Sequence, residues 1–148
     1  MKVTIFDYQK GLKLNKRAIT KMVKALLSYL NIDCYEVIFD FVDESEICKL
    51  HEEFFDDPSP TDCITFPIDD EKTVENRILG EVFVCTDTAI KYAKEHSLDP
   101  YKEVYLYLIH GILHLIGFDD ILENDRILMK KKEKQCMDFL KKENLIKK

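Results

Sequence analysis

The sequence predicts one α/β or α+β domain over residues 1–148, with about four short strands mixed with about five helices. Three observations predict it. The chain has 148 residues, the length of one domain and enough to bury a core without disulfide or metal staples. Hydrophobic residues make up 46% and charged residues 34%, with only four glycines and four prolines, so the composition is globular and excludes collagen-like or low-complexity chains. Short β-branched and aromatic runs alternate with stretches of helical period, with no repeat and no linker between them.

The elements follow in order. Residues 3–6 form a β-branched and aromatic run that reads as a first strand. Residues 16–30 carry Ile19, Met22, Val23, Leu26, Leu27 and Leu30 at helical spacing, one buried stripe. Residues 37–42 are an apolar run of strand length. Asp43 then stands as an N-cap, with Glu46 three residues on in a capping-box pattern, for a helix reaching about Phe55. The segment 56–60 is a loop by composition. An extended piece at 63–66 is stopped by Pro67, a polar loop follows, and 79–85 is a further strand. Residues 86–96 are helical. Asp99 caps the next helix, Pro100 takes its first position, and the helix runs to Ile116 before Gly117. Residues 125–142 form a final amphipathic helix.

No stretch approaches the roughly 18 apolar residues of a membrane helix. The first residues show neither an apolar signal core nor a small-residue cleavage site. The cysteines (Cys34, Cys48, Cys63, Cys85 and Cys136) are odd in number, widely spaced and without a C-x-x-C pair. They read as reduced core thiols, and the expectation is a cytoplasmic protein with no membrane partner.

The net charge of −6 argues at first against nucleic acid, because phosphates attract cationic surfaces. The figure averages unlike segments. Residues 10–24 hold six basic residues and no acid, and residues 130–148 hold eight lysines against three acids. Residues 33–81 hold 16 acids against three bases. Solvated lysine-rich faces explain the two ends, and so does an RNA footprint that the total hides.

The stretch that carries chemistry spans residues 110–120. His110 and His114 are four apart on a predicted helix and project from one face, so both imidazoles can reach one ion. Gly117 tolerates positive φ and lets the chain turn back, and Asp120 can return as a third ligand. Three protein ligands with one open position describe a catalytic zinc-type site. Two histidines on a helix surface without metal are the plain alternative. Zinc proteases of the H-E-x-x-H type carry their general base directly after the first histidine, and here that position is Gly111. Glu103, two helical turns before His110, is a candidate to accept a histidine N–H. Asp119 is a candidate for outer support or capping, the spacing favouring Asp120 as the ligand. His96 reads as closing a helix C-terminus.

The string from His110 to Asp120 resembles the signature H-G-x-L-H-L-x-G-[FY]-D-H of the YbeY family, matching at His110, Gly111, Leu113, His114, Leu115, Gly117, Phe118 and Asp119. The segment 60–67, P-T-D-C-I-T-F-P, is similar to the family's P-T-D-V-L-S-F-P, and Leu79-Gly80-Glu81-Val82 to its L-G-D-I. His96-Ser97, Glu103 and Met129 also fall where the family has such residues, so the resemblance covers about residues 37–133. It implies a fold, one small mixed sheet of about four strands surrounded by about five helices. It also implies an activity, that of a metal-dependent, single-strand-specific endoribonuclease of the cytoplasm acting in small-subunit rRNA 3′-end maturation and ribosome quality control. The partners it implies are single-stranded RNA, rRNA and the small ribosomal subunit. It implies zinc, one ion per chain, with substrate contacts from Thr61, Asp62 and Thr65.

Two positions depart from the family pattern. Asp120 stands where the family has a third histidine; its carboxylate can ligate zinc and also suits harder ions such as manganese or magnesium. Phe55 stands where the family has an arginine, and Arg77 and Lys102 are candidates to supply that charge. Two alternatives stay open at this point: a non-catalytic, metal-binding ribosome-assembly factor, and a zinc metalloprotease.

Overall fold

A computed structural model describes residues 1–70 and 76–146. Part of the polar loop expected between the third and fourth strands lies outside these residues, as do Lys72, Lys147 and Lys148 of the charge segments. The described residues form β1 (Lys2–Asp7), α1 (Lys16–Tyr29), β2 (Glu36–Val42), α2 (Glu44–Phe55), β3 (Cys63–Pro67), β4 (Ile78–Cys85), α3 (Thr86–His96), α4 (Pro100–Leu115) and α5 (Glu123–Lys142).

Local chemistry sets most of these limits. Asn15 Oδ1 accepts the Ala18 N–H at 3.0 Å and starts α1. Asp43 caps α2 through the Glu46 N–H at 2.9 Å, and a carboxylate from α3, Asp87, accepts the Glu44 N–H at 2.8 Å. Asp99 caps α4 through the Tyr101 N–H at 2.9 Å, with Pro100 where a missing N–H costs nothing. Helix α5 begins at Glu123, two residues before the expected Asp125. Its N-cap is Leu122, which makes no side-chain cap, so no sequence signal marked the start.

The four strands form one mixed sheet in the order β1-β2-β4-β3. β2 pairs in parallel with β1 and β4, and β3 pairs antiparallel with β4 at the edge. Side chains alternate between the two faces. Val37, Phe39 and Phe41 of β2 with Val82 and Val84 of β4 join the main core, which α1, α4 and α5 cover. The other face holds a smaller cluster of Val42, Ile64 and Cys85 under Ile47 of α2. All five cysteines are free. No described helix is long and apolar enough to cross a membrane.

Helix α4 lies unusually close to the sheet, and this positions the site. A Cβ at Gly111 would stand 2.6 Å from Val82 Cγ1 and 3.5 Å from Thr65 Cγ2. A Cβ at Gly80 of β4 would meet Leu115 Cδ2 at 2.5 Å. The two glycines, one on each partner, let the backbone of the helix that carries His110 and His114 settle onto β4.

Candidate metal centre

The end of α4 is closed by a paired backbone device. The Gly117 N–H bonds to the His114 carbonyl at 3.1 Å, and the Phe118 N–H reaches back to the Leu113 carbonyl at 3.0 Å. That pattern needs a left-handed residue at the first position past the cap, and Gly117 has φ +108°. The chain reverses there and returns Asp120 over the face that carries both histidines.

Three atoms then converge. His110 Nε2 and His114 Nε2 are 3.0 Å apart, and Asp120 Oδ2 lies 3.4 Å from the first and 3.5 Å from the second. Around a tetrahedral ion with bonds of about 2.0–2.1 Å, ligand atoms are separated by about 3.3–3.4 Å. The triangle therefore has the size that one such ion requires, and these residues fit the metal the sequence implies.

A fourth residue completes the arrangement. Glu133 of α5 places Oε2 2.6 Å from His110 Nδ1. An ionised carboxylate only accepts, so Nδ1 carries the proton and Nε2 keeps its lone pair for the triangle. Burial opposes charge on the His110 ring, but the Glu133 hydrogen bond and the charges of Glu133, Asp62 and Asp120 outweigh it and raise its pKa. The site is thus rich in negative charge and suited to a cation.

His110, Asp120 and Glu133 line a pocket of about 220 Å³ with Asp62, Tyr107, Arg126 and Lys130. Asp62, Leu106 and Tyr107 also line a neighbouring trough with Thr61, Tyr92, Leu98 and Glu103, so the two form one groove. Burial, then the charges of Asp62 and Glu103, push the Tyr107 hydroxyl up, and it stays neutral. The Cys63 thiol beside the site is held protonated by burial and by the carboxylates of Asp62, Asp120 and Glu133.

Several sequence expectations take a different place. Glu103 does not hold a histidine: two turns put it about 10 Å along the helix from His110. It faces the trough, where burial raises its pKa, and Glu133 makes the contact instead. Asp119 accepts the Asp120 N–H at 2.7 Å and steadies the turn. Asp62 Oδ1 accepts the Cys63 N–H at 2.7 Å while its side chain lines the groove. Thr61 lines the trough, and its carbonyl accepts the Thr88 hydroxyl at 3.0 Å. Thr65 does not line the groove; it packs beneath Gly111. His96 Nδ1 meets the Tyr92 carbonyl at 2.9 Å, closing α3 as expected. Phe55 is exposed at the end of α2 with its ring beside His51. Arg77 donates to the Asp69 carbonyl at 3.2 Å, and neither it nor Lys102 lines the pocket.

Glu133, Arg126 and Lys130 were not singled out from the sequence. A signal existed: Arg126, Met129, Lys130 and Glu133 follow helical spacing and share one face of α5.

Comparison with known proteins places this geometry. A family model described as Endoribonuclease YbeY matches residues 4–141. A protein named Endoribonuclease YbeY from Protochlamydia amoebophila (strain UWE25) is 48% identical over 134 residues, 90% of this chain and 89% of the relative. Another of that name from Finegoldia magna is 41% identical over 112 residues, 76% of this chain and 73% of the relative. The solution structure of TM1509 from Thermotoga maritima has a TM-score of 0.64 at 26% identity, covering 99% of this chain and 96% of that one.

Proposed function

This chain belongs to the YbeY endoribonuclease family, and from that membership we propose that it is a metal-dependent endoribonuclease of single-stranded RNA that acts in rRNA maturation. The observation that carries the reading is the triangle of His110 Nε2, His114 Nε2 and Asp120 Oδ2, with edges of 3.0, 3.4 and 3.5 Å, beside an open groove. These three residues would hold one divalent ion, zinc by the donor set, with the Asp120 carboxylate admitting manganese or magnesium. Such an ion supplies Lewis-acid polarisation of a phosphate and a lowered pKa for water.

The remaining roles belong to the chain. Glu133 fixes the tautomer and orientation of His110. Thr61 and Asp62 line the groove and position the substrate, while Thr65 supports the seat of α4. The biological partner in this reading is the small ribosomal subunit, whose rRNA 3′ end is the substrate, and the compartment is the cytoplasm.

The two rival readings are weaker. A protease of the H-E-x-x-H type needs a glutamate at position 111, where even a Cβ would meet Val82 at 2.6 Å. A non-catalytic, metal-binding assembly factor would keep the same ion-sized triangle, and what weighs against it is that the relatives carry the name of an RNA-cleaving enzyme.

Cleavage of a single-stranded RNA by untagged protein tests the reading. Wild type is expected to cleave with added divalent metal and to stop on chelation, and His114→Ala to lose at least about a hundredfold. Equal cleavage by the two proteins would refute it.

A further inference from the structure

The groove beside the metal centre is lined by acids. Asp62, Asp120 and Glu133 would repel a polyanion, and among the described residues the Lys and Arg side chains that line the same pocket are Arg126 and Lys130. They stand one turn apart on α5, on either side of buried Met129, so their side chains project together along one wall. Both are exposed, and among the described residues neither is held in an ion pair. The basic residues of α1 do not line this pocket. In the neighbouring trough, away from Arg126 and Lys130, which do not line it, Tyr92 is exposed and stacked on His96, with centroids 4.0 Å apart and planes at 18°. Cations at one end and an aromatic face at the other are the layout with which proteins take up a single strand.

We propose that Arg126 and Lys130 are the phosphate-binding wall of this site, each engaging one backbone phosphate of single-stranded RNA next to the scissile bond. The proposal rests on the endoribonuclease reading above. The guanidinium of Arg126 can fork two phosphate oxygens, whereas Lys130 contributes a point charge. Neither side chain touches the ligand triangle, so their role is substrate placement rather than the chemical step.

The test uses the metal-loaded chain and a short oligouridylate as probe. Arg126→Gln and Lys130→Gln are each expected to raise KM about five- to tenfold with kcat changed less than about twofold. Each is expected to reduce the slope of log affinity against log salt by about 0.7, the share of one phosphate on a single strand. Metal content is expected to stay at the wild-type level. Arg126→Lys is expected to restore the salt slope and part of the KM. Lys49→Gln, exposed on α2 away from the pocket, is the charge-matched control. If the wild type cleaves the probe and both glutamine variants match it in KM and salt slope, the phosphate wall is wrong and the endoribonuclease reading stands. If the wild type itself neither binds nor cleaves, that reading fails and takes the proposal with it.

Discussion

Glu133 is the residue on which the candidate metal centre turns, since it orients His110 from outside the proposed ligand triangle. Its 2.6 Å contact sets which nitrogen of His110 is free, so removing it leaves a ligand that rotates and changes tautomer. Outer contacts of this kind are worth about 10–100-fold in metal affinity. Glu133→Ala is expected to weaken zinc binding by at least about tenfold in competition with a chromophoric chelator, and Glu133→Gln, which still accepts the N–H, by less. A second residue makes a pH prediction. Asp40 of β2 is buried, its Oδ2 meets no hydrogen-bond partner, and burial, a hydrogen bond with Glu81 and the Glu81 charge push its pKa from 3.8 to about 8. From about pH 4 to about pH 8 the unfolded chain gives up this proton and the folded chain keeps it, so the contribution of Asp40 to stability falls as pH rises. Asp40→Asn removes the titration. Its Tm advantage over wild type is expected to widen by a few degrees between the two ends of that window. At this scale His110, His114 and Asp120 were legible because helix pitch and one glycine turn bring them together. Glu133 was not, because it lies 23 residues from His110 and only the packing of α5 on α4 joins them.

At the scale of elements, α4 joins a capped start, a glycine seat and a glycine turn. The seat at Gly111 leaves no room for a side chain against Val82. Gly111→Glu, which would write the protease pattern into the helix, is therefore expected to cost about 3 kcal/mol or more through overpacking and a charge facing the sheet. Urea unfolding monitored by circular dichroism reads this as a lower midpoint, and no peptidase activity is expected to appear. The same local signals made most elements legible. Asp43, Asp99-Pro100 and Gly117 each announce a helix end through a hydrogen bond that the structure contains. At α5, whose N-cap Leu122 makes no side-chain cap, the sequence placed the start late.

At the scale of the whole molecule, the sheet order was beyond the sequence. β4 inserts between β2 and β3, and that pairing depends on contacts far apart in the chain rather than on any local pattern. The fold class was legible all the same, since strand and helix periods need no partner to be read. The charge of −6 gains a geometric meaning. Most of the surplus acid lies in residues 33–81, while α5 brings Arg126 and Lys130 to the groove. The central claim, that α4 and its return loop build an ion site, is tested most directly by measuring metal per chain in untagged protein. Wild type is expected to carry or take up one ion per chain, and His114→Ala and Asp120→Ala to carry almost none while keeping the wild-type circular dichroism spectrum. A wild type that takes up no divalent ion, or variants that bind as tightly as wild type, would contradict the account.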